Sequence, residues 1–405
     1  MKFLVLLKNN DKDFKRNLLL LFVSYFLVIF NYPLIRASTT SLFFEAFGAK
    51  SSPQAWAWAI LFLSLSIFIC NRIQKYTSAQ MVFACASVFS GIVFLSGDLS
   101  VFAGNKMFAY LSFIWKEICI VIQVHLILAF SNTYFKKDDF KRLIGPVGAI
   151  GSLGGILGGL LTSHLSSSYG TQSVLVTGVI FVLLPVISFW FTKRVMNDQV
   201  EKPKSPVASL DTPDLKKYVI YICAIVALTQ FIINIADFKF NLAFEATVPT
   251  SDLRTSYLGQ IYAWTNGLSF IFQFLLLPFI LPLVSEKRLH IFIPISYLIS
   301  VIALIMGSQI GLLPIAILYI YFKAADYSFF SAAKELLYQP LEPAQKYGAK
   351  YLTDMLMYRS SKAFIALVLI YLQSAFILDM MMVGFLLIWI FLVTRLFKLH
   401  HKLFY

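Results

Sequence analysis

Charge is what this chain has least of. Only 13% of its 405 residues are Asp, Glu, Lys or Arg, and 59% are hydrophobic; a soluble domain carries about 25% charged residues. That composition excludes an ordinary water-soluble globule and indicates a polytopic membrane protein. Cysteine is scarce too: Cys70, Cys85, Cys119 and Cys223 stand singly in apolar runs. With no metal or redox spacing among them, they read as small packing residues. The opening MKFLVLLKNNDKDFKR has too short an apolar core for a signal peptide. It also lacks the Ser/Arg-rich, acid-poor character of an organelle transit peptide, so a bacterial inner membrane is expected. No ATP-binding cassette or other soluble energy module is present. Any transport must therefore run on a gradient or a counter-substrate, and no enzymatic step, cofactor or metal is expected.

What the chain does have is a succession of long apolar runs. A helix needs about 20 apolar residues to cross a bilayer. Twelve spans are expected, over 18–35, 55–71, 79–97, 107–134, 143–163, 172–192, 218–243, 256–280, 289–307, 311–336, 350–371 and 377–397. Lys and Arg fall on alternate connections, twenty-five on one side against Arg36, Lys50, Lys106 and Arg254 on the other. The basic side faces the cytoplasm by the positive-inside rule, which places both termini there. The +14 net charge is thus a topology signal and implies no nucleic-acid partner.

The segment 193–217, KRVMNDQVEKPKSPVASLDTPDLKK, is the one linker-like stretch. It divides an N-terminal lobe, 1–192, from a C-terminal lobe, 218–405. Two echoes link the lobes: Phe44-Glu45-Ala46 recurs as Phe244-Glu245-Ala246, and Lys116 falls on Lys323 at a shift of 207. Both point to a six-plus-six repeat, as in the major facilitator fold.

Charges inside the spans carry the chemistry. Each costs about 2.5–3.5 kcal/mol at bilayer depth by insertion scales, so such residues face a bundle interior or a wet cavity. The cations are Lys116, Lys239, Lys323, Arg359 and Lys362, with Arg36 at the end of the first span. The acids are Glu117, Asp237, Asp326 and Asp354. Lys323 and Asp326 lie three apart on one helical face, close enough to neutralise each other. Arg359 and Lys362 share a face and repel unless an anion sits near them. The slight positive excess suits an anionic or zwitterionic solute. Arg36, Lys116, Lys323, Arg359 and Lys362 are the candidate substrate contacts. Glu117, Asp237 and Asp326 are candidates for charge pairing or proton coupling.

Other features have plainer explanations. Gly151, Gly155 and Gly159 recur at intervals of four in GPVGAIGSLGGILGG, a flat ridge for close helix contact with a hinge as alternative. No strand precedes them and no Gly-Lys-Ser/Thr ending follows, so a phosphate loop is disfavoured. His125 reads as an interior histidine, with a proton relay as alternative. Lys136 to Arg142 reads as a solvated basic turn, with gating ion pairs as alternative.

The stretch from Tyr321 to Lys362 resembles the non-mitochondrial ATP/ADP antiporters, the nucleotide transporters of plastids and intracellular bacteria. Their K-Y-S-L-F-D-P-T-K-E-M-A-Y-I-P-L run is matched by Tyr327-Ser328-Phe329-Phe330, Lys334-Glu335, Tyr338 and Pro340-Leu341. Their later G-K-S lysine falls on Lys362. Phe30-Asn31-Tyr32-Pro33-Leu34-Ile35-Arg36 is similar to their F-N-Y-T-I-L-R. Phe130-Ser131-Asn132 is similar to their F-A-N, and Asn234-Ile235-Ala236-Asp237 to their N-L-V-E. Three departures stand out: Ser331-Ala332 replaces Asp-Pro, Ser361-Lys362-Ala363 replaces Gly-Lys-Ser, and Ala37-Ser38-Thr39-Thr40 replaces D-T-K-D. Thr39 thereby takes the place of a lysine thought to contact nucleotide in that family.

The expectation is an all-α membrane protein of twelve helices in two lobes, a secondary transporter working by alternating access in the lipid bilayer. The resemblance implies a small anionic cargo such as ATP, ADP or another phosphorylated metabolite. One alternative is a proton-coupled carrier of a different metabolite, peptide or siderophore-like solute. Another is a membrane scaffold or sensor that moves nothing.

Overall fold

The computed structural model describes residues 12–103, 105–135, 137–192, 212–307 and 311–404. Most of the expected linker, 193–211, lies outside the described residues, as do the termini 1–11 and 405. The rest is all helix. In chain order come α1 (Lys12–Phe47), α2 (Ser52–Ile73), α3 (Ala79–Ala103) and α4 (Met107–Tyr134). A continuous run, Lys137–Trp190, bends at Gly170, whose φ of 80 and ψ of 172 are not helical; its two arms are α5 (137–169) and α6 (171–190). There follow α7 (Pro213–Thr247), α8 (Ser251–Leu283), α9 (Glu286–Met306) and α10 (Leu312–Leu337). The last two are α11 (343–371) and α12 (Ala375–Phe404).

Each of the twelve expected spans falls on a helix. By length and apolarity, ten helices among the described residues can cross a membrane, with α5 and α6 counted as one. The first half of α11, PAQKYGAKYLTDMLMYR, is too polar to join them. Large apolar side chains point outward all along the bundle, including Phe68, Phe279 and Leu283, as a lipid-facing surface requires.

Several helices outrun the apolar runs that announce them. The first span was expected to stop near residue 35, before the polar run Ala37-Ser38-Thr39-Thr40-Ser41. The helix continues because those hydroxyls bond back into it: Ser38 Oγ to Leu34 O at 2.7 Å, Thr39 Oγ1 to Ile35 O at 2.6 Å, and Ser41 Oγ to Ala37 O at 3.0 Å. A hydroxyl satisfied by the preceding turn can be buried in a helix interior. Thr229 and Asn234 do the same within α7.

The chain divides into two compact units. The first comprises residues up to 49, 61–200 and 248–267; the second comprises 50–60, 201–247 and 268–405. In the first unit Ile35, Leu42, Phe94, Leu175, Val179 and Val182 form a core. The glycine-rich face of α5 packs closely there, as its spacing predicts, but against two partners. Gly151 faces Tyr25 of α1, whereas Gly155 faces Asn266 and Gly159 faces Gly259 of α8. A Cβ added at Gly159 would sit 2.6 Å from the Gly259 carbonyl oxygen, so only glycine permits this crossing. In the second unit the Tyr297 ring stacks on Phe322 at 4.0 Å and meets Trp389 edge-on at 6.0 Å.

Two sequence expectations fail at the level of single side chains. His125 lies on an exposed face of α4, not in the interior. Cys85 is exposed and Cys70 only half-buried, whereas Cys119 and Cys223 are buried. An apolar neighbourhood in sequence cannot separate a lipid-facing position from a packed one, because both are apolar.

Candidate functional site

In the first unit the candidate charges sit on α1 and α4. Arg36 donates to the Tyr32 hydroxyl one turn earlier. Its guanidinium carbon lies 5.3 Å from the Tyr32 ring centroid and 5.2 Å from that of Tyr262, within range of cation–π attraction. Lys116 is only 4% exposed. Its Nζ donates to Thr40 Oγ1 at 2.6 Å and lies 3.4 Å from the Phe113 ring centroid. Thr40 is one turn beyond Arg36, so both cations address the same stretch of α1. Glu117, the next residue on α4, is half-buried. Thr39 is fully buried and bonded to its own helix.

The second unit holds a denser network. Asp237 on α7 receives Lys323 Nζ of α10 at 3.5 Å and Asn241 Nδ2 at 3.2 Å. Two residues on, Lys239 pairs with Asp379 of α12. Adjacent odd positions on a helix diverge by about 200°, so α7 is tied to α10 on one side and to α12 on another. Asp326 lies in a turn of π-helix, Asp326–Phe330, within the field of Lys323 and Lys334. Lys334 reaches across to Asp354 at 2.6 Å, and Lys350 to Glu335 at 2.7 Å. Asp354 sits in a second π-turn, Tyr351–Met357. Arg359 and Lys362 follow on α11, both half-buried. Single π-turns inserted in α-helices recur at functional sites, and two of the three among the described residues lie within the 321–362 stretch, the third being Ile271–Leu276.

No protein-family model and no curated protein matches the chain. Solved structures do match, over nearly its whole length. A bacterial homologue of the iron transporter ferroportin, inward-facing, aligns with a TM-score of 0.70 at 11% identity, covering 96% of this chain and 99% of its own. An auto-inhibited POT family peptide transporter aligns at 0.65 and 11%, covering 96% and 97%. The nucleoside transporter NupG aligns at 0.62 and 15%, covering 95% and 99%. The fold is of the major facilitator type. At such identities the likeness carries architecture alone.

Lys323 acts on Asp326, as the spacing predicts, and also reaches across to Asp237. Asp379 escaped notice although it lies in an apolar run, and its partner Lys239 is 140 residues distant. Lys334, noted in the sequence within the Tyr327 to Leu341 resemblance, pairs with Asp354. Tyr262 gave no signal among twenty tyrosines, and Tyr32 stood out only within the Phe30 to Arg36 resemblance.

Proposed function

We propose that the chain is a secondary carrier that moves a small anionic solute by alternating access. Its carrier fold supplies the scaffold, with lobes 1–192 and 218–405 joined by 193–217 and both termini in the cytoplasm of a bacterial inner membrane. The observation that carries the proposal is Lys116. Its ammonium, 4% exposed on an apolar helix, donates to Thr40 one turn beyond Arg36 and lies over the Phe113 ring, and charges at membrane depth commonly mark a solute pathway. Arg36 joins it from α1, and Lys323, Arg359 and Lys362 offer the same chemistry from α10 and α11. The resemblance around Tyr327 to Leu341 and at Lys362 favours a phosphorylated cargo such as a nucleotide.

A second reading is proton-coupled movement of a different solute, which Asp237 and Asp326 favour. An acid that trades a lysine for a proton can link transport to a pH gradient. Proteoliposomes loaded with labelled nucleotides separate the two. Uptake that requires internal nucleotide supports exchange; uptake driven by an imposed pH gradient supports symport. If neither drives movement of any anion in the panel, the anion-carrier proposal fails and a scaffold or sensor role takes its place.

A further inference from the structure

Away from these charges, one end of the second unit gathers titratable side chains of its own. The start of α9 and the end of α12 bound a cavity of about 680 Å³, lined by Glu286, Lys287, Phe397, Lys398, His400 and His401. His400 is 5% exposed. Its Nδ1 lies 2.9 Å from the Tyr218 hydroxyl of α7, and its Nε2 lies 3.8 Å from Glu286 Oε2 of α9. The same hydroxyl is 2.9 Å from the Leu337 carbonyl oxygen at the end of α10.

The protons along this series of contacts can be counted. A phenol has one proton and a carbonyl oxygen only accepts, so Tyr218 donates to Leu337. Tyr218 must then accept from His400, which puts a proton on Nδ1. In a neutral imidazole the other nitrogen is bare. Neutral His400 would turn that lone pair toward the Glu286 carboxylate, two acceptors facing each other with no proton between. One further proton on Nε2 converts the opposition into an ion pair.

We propose that Glu286 and His400 form a proton-binding site, separate from the transport charges, in which one exchangeable proton on Nε2 clasps α9 to α12. Tyr218 extends the clasp to α7 and to the end of α10. The proton comes from and returns to water entering the cavity. The titratable groups facing His400 are Tyr218 on α7, Glu286 and His290 on α9, and His401 on its own helix; Lys287 and Lys398 also line the cavity. His290 also keeps Nδ1 protonated, by donating to the Glu286 backbone carbonyl at 2.8 Å, so the test includes His290→Gln to separate its signal from that of His400.

The test is a pH titration of the full chain in nanodiscs, labelled with ¹⁵N-histidine and followed by NMR from pH 5 to 9. One histidine is expected to keep Nδ1 protonated throughout and to gain a proton at Nε2 as the pH falls. Glu286→Gln removes the facing anion and lowers the proton affinity of that nitrogen roughly tenfold or more, whereas His401→Gln, which removes a neighbouring cation, does not lower it. His290→Gln leaves the signal in place, and His400→Gln removes it and assigns it. If that variant does not fold, the wild-type spectrum still decides: no histidine titrating at Nε2 with Nδ1 held protonated overturns the proposal. So does a titration that Glu286→Gln fails to move.

Discussion

Lys323 on α10 reaches Asp237 on α7, Nζ to Oδ2 at 3.5 Å, and Lys116 makes the corresponding reach from α4 to Thr40 on α1. Each lysine stands on the fourth helix of its half and addresses the first. Each also has an aromatic ring of its own helix beneath it, Tyr319 for Lys323 and Phe113 for Lys116. The sequence echo between the two lysines is therefore matched by their surroundings. The halves differ in what is addressed, a carboxylate in one and a hydroxyl in the other.

The carboxylate makes the second half testable by charge removal. Asp237→Asn or Lys323→Gln alone leaves one charge without its facing partner, and breaking such a buried pair costs about 3 kcal/mol. The double variant is expected to recover most of that loss, since neither charge then remains. Thermal unfolding of the purified proteins reads the cycle. A double variant as unstable as the sum of the singles means that the two side chains do not interact.

The neighbouring pair separates structure from transport. Lys239 and Asp379 join α7 to α12 and are not among the residues assigned to substrate or coupling. Lys239→Gln with Asp379→Asn is expected to keep transport within a few-fold of wild type. The Asp237→Asn, Lys323→Gln double variant is expected to lose it. Equal loss in the two doubles would remove the special role given to Asp237 and Lys323.

How far these pairs could be read from the sequence depends on their reach. Helices were legible because a bilayer demands long apolar runs, and each of the twelve expected spans falls on a helix among the described residues. Their ends were less so: residues 37–41 look polar, but their hydroxyls are satisfied within α1. Charge pairs were legible only as a supply of cations and acids. Spacing along one helix suggested Lys323 with Asp326, because only intrahelical neighbours can be ranked without a fold. Packing of α7 between α10 and α12 then added the cross-helix partners, and no local pattern encodes that. The π-turns at 326 and 351 have no sequence mark at all.

The glycine face of α5 gives a graded prediction. At Gly155 an added methyl meets the side chain of Asn266, which can rotate away; at Gly159 it meets the backbone of Gly259 and Ala263, which cannot. Gly159→Ala is expected to reduce folded protein more than Gly155→Ala, by about 1–3 kcal/mol, the usual cost of overpacking. Gly155→Leu exceeds what Asn266 can yield and also lowers folded protein. The yield of monodisperse protein after purification reports the order. A wild-type yield for Gly159→Ala would show that α5 and α8 do not cross this closely.

Topology is tested by cysteine labelling after removal of the native cysteines. Lys50 and Asp252, both exposed, are expected outside. Ser205, which lies outside the described residues, is expected in the cytoplasm. An impermeant thiol reagent on intact cells should label cysteines at 50 and 252 and spare one at 205. Labelling at 205 with none at 50 reverses the orientation.

Lys362 and Arg359 offer the sharpest test of the anion proposal. Both stand half-buried on α11 one turn apart. Loss of Lys362 does not strip Asp354 of a partner, because Lys334 holds that carboxylate at 2.6 Å. If Lys362 serves binding rather than structure, Lys362→Gln is expected to fold with a thermal midpoint close to wild type. Charge-assisted contacts are worth about 1.5–3 kcal/mol, so substrate affinity should fall roughly ten- to a hundredfold. Lys362→Arg restores part of it if charge alone matters, and little if a compact ammonium is required. Before the cargo is known, a thermal-shift screen of both proteins against anionic metabolites gives the same answer. A metabolite that stabilises wild type but not Lys362→Gln places the lysine at its site, and one that stabilises both equally excludes it.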